Sequence, residues 1–320
     1  MTPLPTPRQL RYLVALAEAG HFGRAASACA VSQSTLSAGI LVLERQLKAN
    51  IMDRSAGKHV VFTPLGLELV AKARAALGAL GAVVEVVDAA RPPLSGPLRL
   101  GIIPTIGPFL LPRLMPQLRA QYPALRLQLR EDQTQPLLQR LAGGQLDVVL
   151  LAEPCACAGA ETLPVMRDEF LAALPGRHKL ARYAAVPAAA LAAERLLLLE
   201  DGHCLRDQVL AVCGPNAERS TDFAATSLHT LVQMVAGGLG VTLVPRMAVA
   251  AGITDDIGVE LRPLQAGGAW RTISLAWRPN APRAGEYRAL GPLIALSGGC
   301  NLADGGRTAP PLELLVMRQP

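Results

Sequence analysis

Two cysteines nine positions apart, in the stretch Gly202–Cys213 (GHCLRDQVLAVC), are the side chains best suited to chemistry in this sequence. A thiolate is a nucleophile, and nearby cations and helix N-termini favour its formation. Cys204 follows Gly202-His203 after the apolar run Leu196–Leu199, where a helix can begin. Oxidation of one thiol to a sulfenic acid lets a second thiol condense with it. If Leu205–Val212 is helical, nine residues at ~1.5 Å each place the cysteines about 13 Å apart, and a disulfide needs Cα atoms roughly 4.4–6.8 Å apart. A continuous helix over this stretch therefore cannot hold a bond between the two cysteines. Arg206 does not face Cys204 on a helix. Asp207, at i+3, either opposes a thiolate or orders a neighbouring donor.

The remaining cysteines carry less. Cys29 reads as core, Cys155 and Cys157 form a CAC loop, and Cys300 stands in a Gly/Pro-rich tail. No Cys/His pair near the CAC loop completes four ligands, so neither a metal nor a cofactor is expected. In a long chain of the cytosol, reduced or redox-sensing cysteines are expected rather than a structural framework.

Composition bounds the frame that must hold these groups. The 320 residues are 51% hydrophobic but only 3% aromatic, so the core must be built from Leu, Val and Ala. No charge-free apolar run reaches the ~18 residues of a membrane span. The N-terminus lacks the pattern of a secretory signal, so a cytoplasmic protein without a membrane partner is expected. The net charge of +6 is uneven: residues 1–63 hold seven Lys/Arg against three Asp/Glu. That excess points to an anionic partner for the first fifth of the chain, such as nucleic acid.

Apolar spacing predicts three helices in that fifth: RQLRYLVALAEA, FGRAASACAV with Cys29 inward, and STLSAGILVLERQL behind Ser32 as N-cap. Two short helices across a tight turn form a helix-turn-helix. RSAGKHVVFTPLG reads as a small hairpin with Gly57 at its tip, the wing of a winged domain. From Leu65 to Ala90, Leu69, Ala73, Ala76, Leu80, Val83 and Val87 recur as a coiled-coil seam, read as a dimerising helix. RPPLSGP ends it as a linker. Strand-like runs then alternate with helices, which implies α/β units around a parallel sheet in two lobes.

A recognition helix puts its N-terminal side chains at base edges. Here these are Ser32, Gln33, Ser34, Thr35 and Ser37, and Gln33 is suited to an adenine edge. Arg24, Arg54 and Lys58 are candidate phosphate contacts. Residues 8–47 resemble the DNA-binding region of LysR-type transcriptional regulators. GGLGVTLVP, Gly237–Pro245, is similar to a turn of that family's effector domain. The resemblance covers about residues 8–290.

The resemblance implies residues 1–64 as a winged helix-turn-helix and 65–91 as a linker helix. It further implies 92–300 as a two-lobed, periplasmic-binding-protein-like effector domain. Lobe 1 would be about 92–167 with 273–300, lobe 2 about 168–272, and 301–320 a tail. The chain departs from the family at Ser34, often proline, and at Leu41 and Val42, often basic.

GHCLRDQVLAVC, together with LLLLED, ATSLHTL and IIPTIGPFLLP, resembles the peroxide-sensing OxyR branch of that family. This implies Cys204 as the peroxide-reactive thiol and Cys213 as the resolving one. It also implies a peroxide pocket of Thr105, Thr134, His203 and Arg271, with Asp207 beside it. The implied partners are a double-stranded DNA operator, further copies of the chain in a dimer or tetramer, RNA polymerase, hydrogen peroxide, and glutaredoxin or thioredoxin as reductant. An enzyme, such as a thiol peroxidase, is not expected. A LysR-type regulator answering to a metabolite in the interlobe cleft is the competing expectation.

Overall fold

The computed structural model describes residues 3–53, 60–88, 90–155, 157, 159–214, 219–265 and 269–299. The expected wing tip, with Arg54, Gly57, Lys58 and His59, lies outside these residues, as do Cys300 and the tail. The chain forms two compact units, residues 1–88 with 139–146, and the rest.

In the first unit, α1 (Pro7–Ala19) opens with a capping box between Thr6 and Gln9 and stops at Gly20, in the left-handed region at φ 60°. Next come α2 (Phe22–Ala28) and α3 (Gln33–Leu47), whose N-cap is Ser32. Leu13, Leu16, Ala25, Ala26, Leu36, Ile40 and Leu43 form one core with Val70 and Ala73 of α4 (Pro64–Asp88). The base of the expected hairpin is an antiparallel bridge, Met52 to Phe62. The buried carboxylate of Glu44 accepts from the Ile51 and Met52 amides at 2.9 and 3.3 Å and fixes that base to α3.

Two expectations change here. The second helix ends before Cys29, which is only half-buried. The seam of α4 also divides. Leu69 and Ala73 pack on their own domain, whereas Leu80, Val83 and Val87 are exposed beside Val86. Only the second half of the heptad pattern is therefore free to meet another helix.

The second unit contains β1 (Gly96–Ile102), α5 (Gly107–Gln121), β2 (Leu125–Glu131), the start of α6 (Thr134–Ala142), whose residues from Gln139 on belong to the first unit, β3 (Val148–Glu153) and the long β4 (Glu161–Pro175). After these follow α7 (Ala188–Ala192), β5 (Leu196–Leu199), α8 (Cys204–Cys213), β6 (Arg219–Ala225), α9 (Leu228–Ala236) and β7 (Thr242–Pro245). The unit ends with α10 (Arg246–Ala250), β8 (Val259–Pro263), β9 (Trp270–Trp277) and α11 (Ala284–Gly298).

The main sheet runs β2-β1-β3-β9-β4-β7, with β8 also on β4, and β5 pairs with β6. The expectation of a parallel sheet holds only for β1 with β2 and β3, and for β5 with β6. β9 is antiparallel to both β3 and β4, and β4 is antiparallel to β7 and β8. β4 and β9 run side by side from Glu161/Trp277 to Glu169/Trp270, so they bind the sheet's two ends into one.

Candidate functional site: a thiol pocket and a DNA-facing helix

Three loops converge on one small pocket. The loop after β1 supplies Ile103, Pro104 and Thr105, the loop after β2 supplies Gln133 and Thr134, and the loop after β5 supplies Gly202, His203 and Cys204. The first two are carboxyl ends of parallel strands, where open α/β sheets place ligands. Gly202 has φ 94°, a conformation that a side chain resists. A Cβ there would also strike the Gln133 side chain. That glycine lets the chain turn sharply, so Cys204 becomes the first residue of α8.

The pocket encloses about 160 Å³ of void and solvent space. That is too little for a metabolite-sized ligand, whose sites run to roughly 300 Å³ and above.

Its polar groups are fixed by an ion pair. Arg271 and Asp168 are fully buried, and the guanidinium reaches one carboxylate oxygen through Nε at 3.0 Å and Nη2 at 2.9 Å. The same guanidinium donates to the Thr105 hydroxyl at 2.8 Å and to the Thr105 carbonyl at 2.9 Å. Asp168 also accepts from the Met247 amide at 2.9 Å. Thr105 Oγ1 thus accepts from arginine and keeps its own proton to donate. Thr134 is buried, and its hydroxyl has no hydrogen-bond partner of good geometry. A buried polar atom left open in this way points to a bound small ligand or water.

Burial raises the Cys204 pKa, against the lowering effects of the Arg271 charge, the Thr134 hydroxyl and the Leu205 amide. Cys204 is therefore held towards the thiol, because desolvation outweighs the helix terminus and the cation. Cys213, at the other end of α8, is buried and pushed up to about 11 by desolvation alone. His203 is buried, and its pKa is lowered by desolvation against the pull of Glu200, 3.7 Å away. Both cysteines are free thiols.

The structure brings Thr105, Thr134, His203 and Cys204 into one ring, with Arg271 directly behind Thr105. Asp207 is left exposed one turn further on, outside the ring, where its charge raises the Cys204 pKa. Arg206 faces away as its spacing indicates, donating to the Leu199 carbonyl and pairing with Asp201 at 2.8 Å.

Three contributors were not legible in the sequence. Gln133 donates weakly to Glu200 and to the Asp201 carbonyl, tying two pocket loops together. Gln208 donates to the Glu153 carbonyl at 3.1 Å. Asp168 holds Arg271. None has a local motif; a buried charge announces its partner only in three dimensions. Cys155 and Cys157 of the CAC loop are paired with each other, with Cα atoms 5.3 Å apart. Among the described residues no cluster of three metal-ligating side chains occurs.

On the first unit, Ser32 caps α3 by accepting from the Thr35 amide at 3.1 Å. Its hydroxyl also lies 2.9 Å from that of Ser34 and 2.7 Å from that of Thr35. Ser32, Gln33, Ser34 and Thr35 are exposed together, and Ser37 is half-buried. Arg24 is exposed and donates to the Ala19 carbonyl at 2.6 Å, so it caps α1. No single helix among the described residues is long and apolar enough to cross a membrane.

This combination of a helix-turn-helix unit and a ligand pocket between sheet loops is that of a bacterial DNA-binding regulator. Residues 7–67 match the bacterial regulatory helix-turn-helix protein model of the lysR family, and residues 91–293 match the LysR substrate binding domain. The chain belongs to the LysR family of regulators. It is 43% identical over 288 residues to the DNA-binding transcriptional dual regulator OxyR of Escherichia coli K12, covering 90% of this chain and 94% of that one. It is 41% identical to a probable hydrogen peroxide-inducible genes activator of Streptomyces viridosporus, over 89% and 92%. Among solved structures, a full-length OxyR cysteine-to-aspartate variant from Pseudomonas aeruginosa matches with a TM-score of 0.72 and 37% identity, over 97% and 100% of the two chains. A peroxide-bound OxyR cysteine-to-serine variant from Corynebacterium glutamicum matches at 0.63 and 33%, over 93% and 94%.

Proposed function

We propose that this chain is a DNA-binding transcriptional regulator that senses hydrogen peroxide at Cys204 and records it as a Cys204–Cys213 disulfide. The observation that carries the reading is the small pocket in which the Cys204 thiol stands beside the buried Thr105 and Thr134 hydroxyls. Peroxide enters beside Thr105 and Thr134. The Cys204 sulfur, once deprotonated, attacks one oxygen. The O–O bond breaks, and a sulfenic acid and hydroxide result. Cys213 then attacks the oxidised sulfur, the second oxygen leaves as water, and two thiols have given two electrons to one peroxide.

Because α8 cannot hold that bond as a helix, closure unwinds it. The new packing changes the assembly of copies on DNA and its contact with RNA polymerase. The residues at the start of α3 read an operator, with Arg24, Arg54 and Lys58 on phosphates. Residues 65–91 pair two copies, the effector regions extend the pairing to a tetramer, and a glutaredoxin or thioredoxin resets the thiols.

The test is Cys204→Ser in a promoter-reporter assay. Loss of the peroxide response, with the protein still folded and DNA-bound, is the expected result; a retained response would sink the reading.

A further inference from the structure

We infer that Asp168 is a positioning residue for the thiol pocket. It locks the Arg271 guanidinium onto Thr105, so that the Thr105 hydroxyl proton is kept for a ligand beside Cys204, and its charge restrains the thiol at the same time. The inference rests on the reading of Cys204 as the peroxide-reactive thiol.

Strand register sets the pair up. β4 and β9 are antiparallel, and Asp168 stands directly opposite Arg271. A slip of one residue would turn Asp168 to the other face of the sheet. β4 carries one extra residue, Val165, between the pairs Pro164–Ser274 and Met166–Ile273. That bulge decides which face every later residue of β4 takes. Flanking contacts hold the register. The Arg167 guanidinium lies 5.0 Å from the centre of the Trp270 ring, and Arg246 Nη2 meets Glu169 at 2.7 Å.

Both carboxylate oxygens of Asp168 are in use. Oδ1 accepts from the Met247 amide, and Oδ2 accepts from Nε and Nη2 of Arg271. With that edge held, Nη1 donates to Thr105 Oγ1, and Nη2 also donates to the Thr105 carbonyl. A hydroxyl has one proton and two lone pairs, and a guanidinium can only donate. Arg271 therefore occupies a lone pair, and the Thr105 proton must point elsewhere. Thr105 lines the pocket with Cys204. When the Cys204 sulfur bonds one peroxide oxygen, the O–O bond breaks and the other oxygen leaves as hydroxide with the electron pair. Thr105 hydrogen-bonds that hydroxide and keeps its own proton.

Stability alone does not require such a pair. Apolar residues often replace a fully buried ion pair at no loss, whereas a satisfied buried network fixes one geometry. The Asp168 carboxylate also offsets the Arg271 charge, which is what lowers the Cys204 pKa most against burial. Aiming the hydroxyl and restraining the thiol are thus two separable effects of one group.

The experiment uses the reduced full-length protein and reads two rates at Cys204 by mass spectrometry. Alkylation by iodoacetamide across pH reports the thiolate, and a hydrogen peroxide pulse reports oxidation. Asp168→Asn and Asp168→Glu are compared with wild type, alone and with Thr105→Val, and thermal unfolding checks that each is folded. Asp168→Asn keeps an oxygen for the Met247 amide but no carboxylate for Arg271. Its alkylation profile should move to lower pH while oxidation slows by about tenfold or more, the scale of one charged hydrogen bond. General loosening would not move the two rates in opposite directions. Asp168→Glu keeps the charge but shifts it by one methylene. It should alkylate as wild type does and still oxidise more slowly, and it carries the test if Asp168→Asn does not fold. With Thr105→Val in place, neither change should slow oxidation further, because Asp168 acts through that hydroxyl. The inference is overturned if a folded variant oxidises at the wild-type rate, or if oxidation merely follows the alkylation profile. It is equally overturned if the slowing persists undiminished in Thr105→Val, or if neither variant folds, which would make the carboxylate structural. If peroxide leaves wild-type Cys204 unoxidised, the sensor reading fails and this inference with it.

Discussion

Cys204 and Cys213 are the first and last residues of the same ten-residue helix, and both are thiols. A rise of ~1.5 Å per residue separates their Cα atoms by about 13 Å, twice the reach of a disulfide. The helix and the bond exclude each other. Amide exchange over 205–213 should therefore be slow in the reduced protein and faster by at least tenfold after stoichiometric peroxide. Hydrogen exchange read by mass spectrometry checks this; equal protection in both states would mean that α8 does not unwind.

Thr134 tests the pocket without testing the fold. Its hydroxyl is buried without a well-formed hydrogen bond and faces Cys204, whose pKa it lowers, so Thr134→Val removes little that holds the fold. Replacing a weakly bonded polar atom with an apolar one of similar shape is nearly neutral for stability. The melting temperature should stay within a few degrees, while the rate of Cys204 oxidation falls by about ten- to a hundredfold, the scale of one or two lost hydrogen bonds. Lost stability with an unchanged rate would mark the threonine as structural.

Arg271 should behave in the opposite way. Arg271→Leu leaves the Asp168 carboxylate buried without its partner, a cost of about 3–5 kcal/mol. The same change removes the charge that lowers the Cys204 pKa. Denaturant unfolding should show the loss. The pH profile of Cys204 alkylation should move to higher pH than in wild type.

The thiols also set a pH window for the reduced protein. Cys213 has a folded pKa of about 11, above its ordinary value of 9.0. Below the ordinary value both folded and unfolded forms are protonated, and the buried thiol costs nothing. As pH rises from about 9 towards 11 the unfolded chain ionises first, so stability falls over that range. Thermal unfolding across pH 8–11 should show the decline, and Cys213→Ala should flatten it.

Much of this was legible in the chain, where local pattern decides the outcome. Ser32 followed by an apolar face at spacings of three and four specifies α3 and its cap. LRLQLRE gives β2 to the residue. Thr105 and Thr134 were implied by the resemblance, and the structure brings both, at strand ends, to one pocket. What escaped had no local signature. The first half of β4 carries Pro164 and a register shift between Pro164 and Met166, which hide the strand period. β6, RSTDFAA, is too polar to read as a strand. Antiparallel β9 comes from a chain that returns to the sheet from far along the sequence. Asp168 and Gln208 act across separations of 103 and 55 residues, which no spacing rule reaches.

The central claim is a covalent one, and trapping measures it most directly. Reduced full-length protein is given one equivalent of hydrogen peroxide, quenched with an alkylating agent within seconds, digested and analysed by mass spectrometry. A peptide pair joined through Cys204 and Cys213, absent before the pulse and in Cys204→Ser, is the predicted product. If instead another pair is joined, or Cys204 is recovered alkylated while the peroxide has been consumed, the account of the sensor is wrong.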